Sequence, residues 1–185
     1  MRLFPFLLFL IAGGELYGYY LALKYKNSIW FYNIFDPIMY LFYFAILYFS
    51  IYSLNFRRFI IISSIFYIIL SSISYYYIAR KGEFNQWMYL SGVIILVLCL
   101  IRKLYELLED PKKFDFLKNP FFYILLFTLF FYTLTMPRFV LNSWLTASKS
   151  YEMVAIVNNV SRIFNLLLYA AYTIAFLWIR KTGLY

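Results

Sequence analysis

The chain has 185 residues, 65% hydrophobic and 14% charged, with a net charge of +9; soluble domains run nearer to about 45–50% and about 25%. No water-soluble domain of this length buries that much apolar surface, and the apolar stretches are continuous rather than alternating, which leaves a helical membrane bundle. A single cysteine, Cys99, excludes a disulfide or thiolate metal cluster within one chain, and the lack of histidine removes the commonest metal ligand and the readiest proton carrier near neutral pH.

Six apolar stretches follow in chain order, each long enough to cross a ~30 Å hydrocarbon core. The first runs over about residues 3–23, with Pro5 in its opening turn, where a missing N–H does no harm. It has the leading Arg of a signal peptide, but Gly13, Gly14 and Glu15 break its apolar run and no A-x-A site follows, so it reads as a mature helix. After a break at Lys24–Ser28 the second spans about 29–53, and Pro37 inside it should kink or unwind it. The third, about 59–79, follows a break at Asn55–Arg58. The fourth, about 87–107, follows Arg80–Gln86, and Arg102 to Glu109 should carry its helix out past the membrane. The fifth, about 120–145, starts at Pro120 after the break Leu108–Asn119 and contains Pro137. The sixth, about 153–179, follows Thr146–Glu152. The fold class is therefore all-α: a polytopic transmembrane helical bundle of about six spans, forming one domain over residues 1–185.

Lysine and arginine set the orientation. The N-terminus, second loop, fourth loop and C-terminus hold Arg2, Arg57, Arg58, Arg102, Lys103, Lys112, Lys113, Lys118, Arg180 and Lys181. The opposite loops hold Lys24, Lys26, Arg80, Lys81 and Lys149. The heavier share marks the cytoplasmic side, so both termini are expected in the cytoplasm. Topology and anionic headgroups account for the net charge better than nucleic acid does. The 21 Tyr and 22 Phe fit aromatic belts and a general bias toward Phe, Tyr, Ile, Lys and Asn.

Four charges interrupt the spans: Glu15, Asp36, Arg138 and Arg162. A charge near the bilayer centre costs at least ~2.5 kcal/mol, and such residues normally face a bundle interior, a partner or water. Helix rise places all four roughly 10–14 Å below one face, whichever way the protein is inserted. Asn33, Asp36, Tyr40 and Tyr43 share one side of the second span, and Asn158, Ser161, Arg162, Asn165 and Tyr169 one side of the sixth. Gly14 and Gly18 frame Glu15 in a G-x-x-x-G pattern that admits a close neighbour. The set reads in two ways: two acids and two bases that lock spans one, two, five and six together, or a polar pocket open to the outer face that binds a ligand or relays protons.

No Walker loop, H-E-x-x-H, G-x-S-x-G or C-x-x-C motif occurs, and a Ser/His/Asp nucleophile needs a histidine the chain lacks. No catalytic residue, metal site or cofactor is expected.

The stretch from Leu3 to Tyr48, with a charge in its first span, a short basic loop and then Ile29-Trp30-Phe31-Tyr32-Asn33-Ile34-Phe35 opening an aromatic helix, resembles a large group of bacterial membrane proteins of six or seven spans without an established activity. The run Lys118-Asn119-Pro120-Phe121-Phe122-Tyr123-Ile124 resembles their N-P-x-F-W-I element. The chain looks like a six-span member lacking a first helix, with Asp36 where a less polar residue is usual. The resemblance implies a small polytopic protein of the kind found beside signalling kinases or as a membrane accessory of phage-defence systems, RNA-targeting CRISPR loci included.

The preferred reading is a non-enzymatic membrane module that senses or transmits, or that serves as the membrane partner of a cytoplasmic effector. The outer polar cluster of Glu15, Asp36, Arg138, Arg162, Asn33, Asn158 and Asn165 would be its sensing element. The Arg102–Asn119 segment would be its cytoplasmic contact, through Lys112, Lys113 and Lys118. The expected partners are the lipid bilayer, a protein at the cytoplasmic face and further copies of the chain. Direct nucleic-acid binding is not expected, since the basic loops carry no RNA-recognition motif. The alternative is a small transporter or oligomeric pore, with kinked spans two and five supplying broken-helix sites. Against it stand the lack of an internal repeat and an inner half nearly dry of charge.

Overall fold

The computed structural model describes residues 4–77, 84–109, 119–148 and 150–182. Among them are six helices: α1 (Phe4–Tyr25), α2 (Ile29–Ser50), α3 (Leu54–Tyr77), α4 (Gln86–Glu109), α5 (Pro120–Ala147) and α6 (Tyr151–Thr182). Each contains a stretch long and apolar enough to cross a membrane.

Local chemistry fixes the helix ends. α1 stops where Lys26 adopts a left-handed backbone, φ 54°, the usual conformation for the residue just past a helix C-terminus. Asn27 then accepts the Ile29 N–H on its side-chain oxygen at 2.9 Å, so a three-residue turn suffices to start α2. The Ile51 N–H closes α2 on the Leu47 carbonyl, and Arg57 Nε donates to the Ile51 carbonyl at 2.6 Å. Arg57 therefore ties down a helix end, besides any part it has in topology. Ser53 opens α3, Asn85 opens α4 and Asn119 opens α5, each accepting a backbone N–H on its side-chain oxygen.

Two details differ from expectation. Residues Asn55–Arg58 belong to the first turn of α3 rather than to a break, because Ser53 caps the helix one step earlier. Helix also runs without interruption through Pro37 and Pro137, so neither proline unwinds its span. The apolar flanks keep their own backbone bonds, since a second broken bond in lipid would cost several kcal/mol. Span hydroxyls obey the same constraint: Ser64, Thr128, Thr135, Ser161 and Thr173 each donate to the carbonyl four residues back.

The chain forms two compact units, Met1–Cys99 and Leu100–Tyr185, and the division falls inside α4. In the first unit α2 is the hub. Its Tyr40 ring meets Tyr67 of α3 at 5.9 Å and Tyr89 of α4 at 5.8 Å, while Phe44 meets Tyr67 at 5.8 Å. These edge-to-face contacts matter in a bilayer, where lipid tails are as apolar as side chains and shape complementarity holds helices together. In the second unit α5 and α6 pack against each other. Thr128 and Tyr172 join the two helices by a buried hydroxyl–hydroxyl bond of 2.6 Å, and the Tyr123 ring meets Trp178 at 5.6 Å in a tilted contact.

Candidate intramembrane polar site

The glycines of α1 position the first-unit site. A Cβ on Gly14 would run into the Phe35 ring, and one on Gly18 into the Tyr32 hydroxyl. The G-x-x-x-G notch thus receives two aromatic side chains of α2. Gly92 of α4 gives Tyr40 the same accommodation, with a Cβ there only 2.6 Å from its ring. Seating Tyr32 in the notch brings its hydroxyl beside Glu15, and it donates to Oε2 at 3.2 Å. Glu15 itself remains exposed on α1.

Next to Tyr32 in the chain, Asn33 is buried and its side-chain oxygen accepts the Asn85 N–H at 2.9 Å. Asn85 is also buried; its own oxygen accepts from Ser74 Oγ at 2.8 Å and from the Met88 N–H at 3.1 Å. Those two donors fix the amide's orientation and leave Nδ2 turned elsewhere. Among the described residues neither that Nδ2 nor the buried Tyr67 hydroxyl has a hydrogen-bond partner. Pro37 lies four residues after Asn33 and so has no N–H to give the Asn33 carbonyl.

Asp36 is half-buried on the same stretch of α2. It lies four residues, one helical turn, after Tyr32, the residue that meets Glu15. The first unit therefore gathers Glu15, Tyr32, Asn33, Asp36, Tyr67, Ser74 and Asn85 from α1, α2, α3 and the start of α4. Buried donors without partners are expensive, about 1–3 kcal/mol each, and a site of this kind suits a bound water or a small polar ligand.

The two arginines lie in the second unit. Arg138 Nε donates to Asn158 Oδ1 at 3.2 Å, linking α5 to α6. Arg162 is exposed and reaches Asn159 Oδ1 at 3.4 Å. Ser161 turns inward, buried and bonded to the Val157 carbonyl, while Asn158, Asn165 and Tyr169 are half-buried. The five polar residues share one side of α6, and that side runs from buried Ser161 at one edge to exposed Arg162 at the other. Counted along the observed helices, Glu15 and Arg138 stand roughly 15 and 14 Å from the C-terminal ends of α1 and α5, and Asp36 and Arg162 roughly 11 and 17 Å from the N-terminal ends of α2 and α6.

Sequence reading missed Tyr32, Tyr67, Ser74 and Asn85. Asn85 had a signal, an Asn just ahead of an apolar run, which is a helix-start mark. Tyr32 and Tyr67 had none among so many aromatics. Lys103 was counted as a topological charge, yet it is 2% exposed and pairs with Glu106 at 3.5 Å, with Arg102 at 3.7 Å from the same carboxylate. Lys112, Lys113 and Lys118 lie outside the described residues. Among the described residues no three His, Cys, Asp or Glu side chains gather as a metal-binding group.

Six helices of this length and apolarity are the mark of a multi-pass membrane protein. Comparison with family models, with curated proteins and with solved structures found no match.

Proposed function

We propose that this protein is a non-enzymatic module of the bacterial cytoplasmic membrane that senses or transmits, acting as the membrane partner of a cytoplasmic effector. In this reading both termini and the segment with Lys112, Lys113 and Lys118 face the cytoplasm, and that basic segment meets the partner. The observation that supports it is the polar network around α2: Glu15–Tyr32 on one side and Asn33–Asn85–Ser74 on the other. A lone packing device needs one bond. This network ties α2 to three other helices and, among the described residues, still leaves the buried Asn85 Nδ2 without a partner, which suits an element that changes hydration or ligand occupancy. Opened toward the outer face, it would bias α2 between two positions and pass the change along the first unit.

The test uses Asp36→Asn in proteoliposomes, with a Lys113→Cys label in a Cys99→Ala background. A several-fold change in labelling rate at position 113 is expected on Asp36→Asn. An unchanged rate would count against transmission. Loss of ion or solute flux in the same vesicles, with the labelling rate unchanged, would favour the small transporter instead.

A further inference from the structure

Glu15 and Arg162 carry opposite charge, and both are exposed on their helices near mid-span. Glu15 stands about ten residues before the end of α1 and Arg162 about eleven after the start of α6, or roughly 15 and 17 Å along the helix axis. If every helix crosses, those two ends emerge on one face. A charge facing acyl chains at that depth costs at least ~2.5–3.5 kcal/mol on insertion scales. The hydrogen bonds seen do not remove that cost, because both go to neutral groups: Tyr32 at 3.2 Å for Glu15, Asn159 at 3.4 Å for Arg162.

We propose that Glu15 of one copy pairs with Arg162 of a second copy, so that the chain self-associates in the membrane. Charge complementarity selects the occupant: each exposed face presents the counter-ion the other lacks. Depth supports the same conclusion. Rotation about an axis normal to the membrane carries every residue round at constant depth, so partners in such an assembly must lie at one level, and these two agree to within about 2 Å. The neighbouring exposed residues Leu16 and Tyr19 on α1, and Ile163 and Leu166 on α6, are apolar and surround each charge with a surface that another helix can cover. The contact goes beyond the sensing role and holds whether or not α2 transmits a signal.

Copies with two different affinity tags are co-expressed, and one tag is used to purify the other from solubilised membranes. Wild-type copies should co-purify. Glu15→Arg in both copies, or Arg162→Glu in both, should lower recovery about tenfold or more, the equivalent of ~1.4 kcal/mol. Pairing a Glu15→Arg copy with an Arg162→Glu copy should restore it, which also shows that each variant folds. Glu15→Gln and Arg162→Gln, closer in shape, should each weaken recovery in the same direction. The proposal is overturned if wild-type copies do not co-purify, or if the single variants co-purify as well as wild type. It is also overturned if mixing the variants fails while placing both changes in one chain succeeds, because the pair then forms within a single copy.

Discussion

Tyr32 donates its hydroxyl to Glu15 across the α1–α2 contact at 3.2 Å, from a ring that can lie there only because residue 18 is glycine. The small-residue notch and the intramembrane acid are therefore parts of one arrangement. The glycines admit the aromatic face of α2, and that face carries the donor that meets the charge.

The notch predicts a graded response to added volume. Gly14→Ala and Gly18→Ala should each destabilise by about 1–3 kcal/mol, because their Cβ atoms would collide with Phe35 and Tyr32. Gly13→Ala, with open space around it, should be neutral or slightly stabilising through better helix propensity. Thermal unfolding in detergent followed by size-exclusion chromatography reads all three. Phe35→Leu should recover part of the Gly14→Ala loss, and strict additivity of the two would contradict the contact.

Tyr32→Phe removes the donor and keeps the ring. A loss of about 0.5–1.5 kcal/mol is expected, and the same change in a Glu15→Gln background should cost less, since the charge-assisted part of the bond is already gone. A double-mutant cycle by chemical denaturation in micelles measures the difference; a coupling of zero would mean the bond contributes nothing.

Asn85 should be the most sensitive polar position in the first unit. Asn85→Ala loses the α4 cap and the Ser74 partner together, for a cost of about 1–2 kcal/mol. Asn85→Ser can keep a capping oxygen and should cost less. Hydrogen exchange of the Met88 amide distinguishes them, with faster exchange in the Ala variant alone.

Within the second unit, the Thr128–Tyr172 bond joins α5 and α6 at a buried point. Interhelical hydrogen bonds in membranes average only about 0.6 kcal/mol. Thr128→Val and Tyr172→Phe should therefore couple by roughly that amount, and a coupling above about 2 kcal/mol would show a larger role than packing.

Much of this architecture can be read from the residues. Apolar runs of about 20 or more residues define six helices, and Asn27, Asn85, Asn119 and Pro120 mark where they start. The helix ends lie a few residues from where hydropathy alone puts them, since caps such as Ser53 and turns such as Lys26 depend on single hydrogen bonds and dihedral angles. The site was legible only in part. Glu15, Asn33 and Asp36 stand out because charged and amide groups are costly inside a span. Tyr32, Tyr67 and Ser74 do not, because their role depends on which neighbour each faces, and one tyrosine among many carries no mark of that. Asn33 gave no hint of Asn85, 52 positions away in the chain. Lys103 looked like a surface charge by the same limitation: its burial comes from packing, and a run of Arg and Lys at a helix end reads as topology.

The central claim is that the polar face of α2 is an aqueous element open to the outer side. Cysteine substitution at Asp36, in a Cys99→Ala background, followed by a membrane-impermeant thiol reagent added from outside, tests it most directly. Position 36 should react many times faster than Phe44→Cys, a control deeper on the same helix that is 1% exposed. Equal, negligible reaction at both positions would mean a dry packing seam and contradict the account.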